Sequence, residues 1–189
     1  NVLSSNLAEL TNVFRLGAAG DRAVAIHGRM PDMVANAAGK VAACLEAAIQ
    51  RGEIMLDDLF DENYRPIAGT KPVKYNTRFD ALTDRLLPAI QEPLLEHNAG
   101  LIYAGAVDRK GYFPTHNKRF SQPLTGDEKV DMVRNRTKRI FDDPVGRRCG
   151  AHLQPFLIQT YRRDTGEVVH DISAPIQVCG RHWGGFRIG

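Results

Sequence analysis

Apolar residues recur with two different periods along this chain, and the change falls near residue 100. In the first segment Leu3, Leu7, Leu10 and Phe14 alternate spacings of four, three and four. That is two repeats of a heptad seam, the pattern of a helix packed on a partner, although a plain amphipathic helix gives the same spacing over so short a run. Gly17-Ala18-Ala19-Gly20 is expected to end it. A second helix is predicted over Pro31–Arg51, with Met33, Ala37, Val41, Leu45 and Ala48 on one stripe and Gly52 as its stop. After a turn-rich stretch (57–76), a third helix over Asn76–His97 carries Phe79, Leu82, Leu86, Ile90 and Leu94, and Pro88 should kink it.

Beyond residue 100 the spacing shortens to that of strands. Leu101–Val107 reads as a strand, Asp108-Arg109-Lys110-Gly111 as a hairpin turn, and Tyr112-Phe113 as the start of the returning strand. Thr125-Gly126-Asp127-Glu128 has the form of a capping box, opening a helix to about Lys138. Three strands follow: Pro155–Arg162, Glu167–Ser173 and Ile176–Ile188, the last broken at Gly180. Helices, a hairpin, a helical crossing and an antiparallel meander make an α+β domain with one central sheet and long N-terminal helices packed on it.

Composition narrows the class only modestly. The 189 residues suffice for one domain with a substantial core. Residues 1–17 read as the end of a dimerisation helix, and residues 18–189 as the domain proper. At 43% apolar and 25% charged residues the balance is that of a globular chain. No run of roughly 20 apolar residues suits a membrane span. The start, Asn1-Val2-Leu3-Ser4-Ser5-Asn6, has no initiator Met and no signal-peptide pattern, so it reads as the edge of an excised fragment. Cys44, Cys149 and Cys179 are few and odd in number, which fits free thiols in a reducing compartment. Net charge is +3, and the basic cluster Arg134, Arg136, Lys138, Arg139, Arg147 and Arg148 alternates with acids and lacks interleaved aromatics. A solvated helix face explains it better than nucleic-acid binding.

Two blocks carry a resemblance. The first is Tyr103-Ala104-Gly105-Ala106-Val107-Asp108-Arg109-Lys110-Gly111-Tyr112-Phe113-Pro114-Thr115-His116-Asn117. The second runs from Leu157 to Glu167, through Asp171-Ile172-Ser173-Ala174-Pro175-Ile176, to Gly180-Arg181-His182-Trp183-Gly184-Gly185-Phe186-Arg187-Ile188-Gly189. In order and spacing they resemble the Cache/PAS-like sensory domains of bacterial methyl-accepting chemotaxis proteins. The resemblance spans roughly residues 30–189 and implies an antiparallel sheet that holds a small ligand against helices. The Leu3–Leu16 segment in turn looks like the closing helix of a chemoreceptor signalling bundle. It implies a sensor hung from that bundle in the cytoplasm, dimerised through its N-terminal helix. Placement in the periplasm between two membrane helices is the alternative.

Candidate ligand contacts follow from the two blocks. Tyr103 and Tyr161 each offer a ring and a hydroxyl, and His116 and Asn117 follow the hairpin. Arg136 and Arg139 are expected on the crossing helix, where an arginine fork suits a carboxylate or a urate-like anion. Asp171 falls where the related amino-acid sensors place an acidic contact. Alternation puts Val169, Asp171 and Ser173 on one face of their strand, opposite Val168, His170 and Ile172. His182 and Trp183 form a pair suited either to a ligand contact at a pocket mouth or to a packed turn. A haem held without covalent attachment, through His116 or His182, is the cofactor alternative; no Cys-x-x-Cys-His is present.

Catalytic signatures are missing from the sequence: no Gly-x-Ser-x-Gly, no P-loop, no dinucleotide fingerprint and no His-Glu-x-x-His. Cys149 and His152 are three residues apart without an obvious orienting acid. The expectation is therefore a binding domain for a small metabolite rather than an enzyme. A module that docks into a receptor array and binds nothing small remains the other alternative.

Overall fold

The computed structural model describes residues 17–162 and 166–189, with side chains from residue 28 onward. The Leu3–Phe14 seam and most of the Asp164-Thr165-Gly166 turn lie outside the described residues. The chain folds as α+β, with a long helix packed on an antiparallel sheet.

Helix α1 (Gly17–Gln50) is continuous across both Gly17-Ala18-Ala19-Gly20, expected to end a helix, and Pro31, expected to start one. Neighbouring alanines offset glycine's helix cost of about 1 kcal/mol, and a buried stripe holds the register past the bond that Pro31 cannot donate. That stripe is Met30, Val34, Ala37, Ala38, Val41, Leu45 and Ala48, at helical spacing. Short α2 (Leu56–Leu59) and a small ladder of β1 (Arg65–Pro66) with β2 (Tyr75–Asn76) follow.

The single third helix is two, α3 (Asp80–Leu86) and α4 (Pro88–His97). Pro88 begins the second rather than kinking the first, as suits its missing N–H. The first starts late because the Asp80 carboxylate takes the Thr77 N–H and hydroxyl at 3.0 and 2.7 Å, holding the chain in a turn before the helix.

The main sheet has the order β3 (Ala104–Asp108), β8 (Arg181–Ile188), β7 (Val168–Val178), β6 (Leu157–Arg162), with every neighbour antiparallel. The first of these strands thus lies beside the last. The meander boundary expected at Ala174-Pro175 is absent, and β7 runs straight through it. Pro175 is tolerated because β6 ends opposite Ser173, so no ladder partner stands on the side where its N–H is missing.

The turn at Asp108–Gly111 is present, closed by Gly111 N–H to Asp108 O at 3.0 Å, but it does not build a hairpin. Strand β4 (Tyr112–Phe113) pairs instead with β5 (Arg139–Ile140). It leaves the β3 edge because the Phe113 ring folds over Gly105, where a Cβ would come within 2.5 Å of the ring. Two buried amides take the vacated edge. Asn117 Oδ1 accepts the Ala104 N–H at 2.9 Å and Gln91 Oε1 accepts the Ala106 N–H at 3.1 Å. Side chains here do the work of a fifth strand.

Helix α5 (Glu128–Arg134) is shorter than expected and is capped by Asp127, whose carboxylate accepts from Lys129 N and Val130 N. Thr125 instead donates its N–H and hydroxyl to Asp131. Arg136 and Arg139 therefore do not lie on a crossing helix: the helix ends at Arg134, the Arg136 N–H bonds Phe120 O, and Arg139 is in β5. Last comes α6 (Pro144–Ala151), capped by Asp143.

One face of the sheet buries Ile172, Ala174, Ile176, Val178, Trp183, Phe186 and Ile188 in a core with α1 and α4. Against the other, Val107 packs with Phe113 and with Cys149 of α6, and Phe141 and Val145 lie beside them. Among the described residues no helix is long and apolar enough to cross a membrane.

Candidate functional site

The α6-side face of the sheet carries most of the polar side chains that the core excludes. Val169, Asp171 and Ser173 are buried there, as strand alternation requires when Ile172 points to α1. Asp171 has no exposed surface and sits at the centre of a polar cluster. Its Oδ2 accepts from the Tyr103 hydroxyl at 2.6 Å and from Arg187 Nε at 2.8 Å, and Arg187 Nη2 lies 2.8 Å from the same oxygen. Its Oδ1 accepts from the Cys149 thiol at 2.9 Å. The Tyr103 proton is committed to Asp171, so the Tyr161 hydroxyl, 3.0 Å away, donates to the Tyr103 oxygen. Gln159 reaches Cys149 Sγ and Val145 O from the adjacent strand.

Burial dominates the proton equilibria of Tyr103 and Cys149. It raises the Tyr103 hydroxyl well above the ordinary range, with Arg187 opposing and Asp171 adding to the rise. It also raises the Cys149 thiol, again against Arg187. Cys149 is therefore a protonated donor rather than a thiolate nucleophile. His152 bonds Ser173 Oγ at 2.9 Å, one inward position from Asp171, and burial followed by the nearby His182 lowers its pKa. Cys149 and His152 thus contact neighbouring residues of one strand, and each contact is accounted for by packing.

Glycines let the backbones approach. A Cβ on Gly185 would stand 2.2 Å from Cys149 O, and one on Gly150 2.1 Å from Asp108 O. Helix α6 therefore lies directly on the strands.

Beside α6 the sheet face opens into a cleft of about 330 Å³. Tyr103, Tyr161, Arg162 and Arg187 line it from the sheet; Phe113, His116, Arg136, Phe141, Asp143 and Val145 line it from the covering chain. The volume is at the lower end of the ~300–1,000 Å³ typical of small-molecule sites. His116 stacks on Phe113 with ring centroids 4.0 Å apart and 12° between planes, and its Nδ1 accepts the Asn117 N–H at 2.8 Å. The Arg136 and Arg139 guanidinium groups lie 5.1 and 5.0 Å from the Phe141 ring centroid.

Four of the nine residues singled out from sequence meet at this cleft: Tyr103, His116, Arg136 and Tyr161. Asp171 stands directly behind it, its charge met by Arg187. Arg139 packs on the back of the Phe141 wall, and Asn117 seals the β3 edge. His182 and Trp183 lie elsewhere. The Trp183 indole donates to Leu59 O at 2.8 Å and meets Phe79 edge-on, while the His182 ring bonds Gly184 O. Of the two histidines named for haem, only His116 reaches the cleft. Among the described residues no group of three or more His, Cys, Asp or Glu side chains is placed to hold a metal ion.

The sequence did not single out Arg187, Arg162, Phe113, Phe141, Asp143 or Val145 as cleft residues. Arg187 carried the one usable signal, a charge at an inward position of the otherwise apolar, glycine-rich run Trp183–Ile188.

Compared with protein-family models, with curated proteins and with solved structures, the chain matches none.

Proposed function

We propose that the chain is a sensory domain of the Cache/PAS-like kind, which binds a small metabolite in the cleft beside α6 and passes the event to α1. The observation that carries this reading is the cleft itself. It is walled by five aromatic or apolar side chains, Tyr103, Phe113, Phe141, Val145 and Tyr161, with a few convergent polar groups, the usual composition of a ligand site. A sheet in which the first strand adjoins the last, with a long helix on one face and the cleft on the other, supports the same reading.

The route from site to helix is short. Asp171 and Arg187 face the cleft side, while their neighbours Ile172, Phe186 and Ile188 pack in the core with α1. A ligand that favours one packing of β7 and β8 over another would bias the helix by its difference in affinity for the two. The wider setting rests on the two resembling blocks and on the Leu3–Leu16 pattern. It comprises a chemoreceptor signalling bundle, a homodimer through the N-terminal helix and a cytoplasmic location.

The test is a thermal-shift screen with purines, carboxylates and amino acids, repeated on Val145→Trp, which fills the cleft. A compound that stabilises the parent chain and not the variant supports the reading. A folded protein that ignores the entire set, or a ligand equally bound by Val145→Trp, overturns it.

A further inference from the structure

Arg187 is the least expected feature of the cleft. Its side chain is 6% exposed, and burying a guanidinium is costly unless its donors are used. Asp171 takes only one edge, because both Nε and Nη2 converge on the single oxygen Oδ2. The remaining contact of Nη2 is a long bond of 3.3 Å to the Tyr103 oxygen. Nη1, with two N–H donors, has no hydrogen-bond partner among the described residues. It is not among the sealed, unpaired polar atoms either, and Arg187 lines the cleft, so Nη1 opens into it.

Two more guanidinium groups stand nearby: Arg136, itself 7% exposed, and Arg162 line the same space, where Asp143 is the carboxylate among the described lining residues. Asp143 is already occupied as the cap of α6, accepting from Val145 N and Gly146 N. The opposite wall is apolar, made by Phe113, Phe141 and Val145. A guanidinium edge with paired donors fits a planar two-oxygen anion better than any neutral group.

We infer that the cleft takes a small organic carboxylate, or an anion of the same geometry, with its charged end on Arg187 Nη1 beside Arg136 and its body along Phe113, Phe141 and Val145. This rests on the reading of the cleft as the ligand site and gives that site its chemical class. The acid at Asp171 does not select a cation, because Arg187 already satisfies it.

Three probes of one shape separate the classes: benzoate, benzamide and benzylamine, at millimolar concentration in ligand-detected NMR. Benzoate is expected to bind at least tenfold more tightly than the other two. Arg136→Met should weaken it about tenfold, Arg136→Lys should restore part of that, and Val145→Trp should abolish binding. A circular-dichroism melt confirms that each variant is folded. Should Arg136→Met fail that check, the ionic-strength dependence of benzoate binding to the parent chain carries the test, with weakening between 50 and 300 mM salt expected. Benzamide or benzylamine bound as well as benzoate, and lost in Val145→Trp, overturns the anion assignment and leaves the sensory reading standing. No binding of benzoate, or binding unchanged in Val145→Trp, also overturns it, while the broader thermal-shift screen judges the sensory reading separately.

Discussion

Arg187 and Asp171 form an ion pair at 2.8 Å on adjacent strands, with side-chain exposures of 6% and 0%. They are not directly opposite: Arg187 faces Ser173 in the ladder, so the pair is a diagonal one. It ties β7 to β8 beneath the cleft and recruits Tyr103 and Cys149 as further donors.

Removing one member of this pair strands the other. Asp171→Asn is expected to cost about 3–5 kcal/mol, since Arg187 then remains buried without a counter-charge. The double variant Asp171→Leu/Arg187→Met should cost clearly less than the sum of its singles. Urea denaturation of the four proteins reads both effects. Additive losses would show that the two residues act independently.

Titration of Asp108 should appear in the stability of the whole domain. Burial raises its carboxyl to about 6, while bonds from the Tyr64 hydroxyl and the Tyr112 and Lys110 N–H groups pull the other way. A raised folded pKa means that the native state holds the proton more tightly than the unfolded chain. The associated stability is therefore full below about pH 4 and lost as pH rises through about 6, by on the order of 3 kcal/mol. Melts recorded from pH 4 to 7 should show this fall superimposed on the other titrations, and Asp108→Asn should remove it. An identical slope in that variant would refute the assignment.

Glycine substitutions should divide by position. Gly185→Ala places a methyl 2.2 Å from Cys149 O, a backbone atom that cannot swing away. Overpacking of about 1–3 kcal/mol is expected, together with weaker ligand binding as α6 lifts from the sheet. Gly39→Ala on the exposed face of α1 meets nothing within 4 Å and should stabilise by about 0.5–1 kcal/mol. Thermal denaturation of the two variants checks the opposite signs.

The amides that close the β3 edge are a fourth point of test. Gln91→Leu leaves the Ala106 N–H and Thr115 O unpaired in a buried site, and Asn117→Ala does the same to the Ala104 N–H. Each should cost about 1–3 kcal/mol. Amide hydrogen exchange should accelerate at Ala106 in the first variant and at Ala104 in the second. Protection that survives both substitutions would mean another group holds that edge.

How much of this was legible beforehand depended on the range of the interaction. Strand alternation placed Asp171 and Ser173 on one face and Ile172 on the other, and β7 obeys it because the sheet separates two environments. Tyr103, His116, Arg136 and Tyr161 were chosen for their chemistry and do meet at one cleft. Phe113 and Phe141, which wall it, read in sequence as ordinary apolar positions.

The α+β class, the strand faces and the turn at Asp108–Gly111 were readable from the chain alone, since each follows from local periodicity or from a glycine's positive φ, here +84° at Gly111. Tertiary structure alone decided that α1 continues through Pro31, that β4 leaves β3 for β5, and that Arg187 rather than a solvent-facing group meets Asp171. Those outcomes depend on contacts between segments far apart in the chain: a buried stripe, the Phe113 ring over Gly105, and a charge whose cost is offset only by a partner sixteen residues away. Local pattern carries no record of such partners, because burial and pairing exist only once the strands lie side by side.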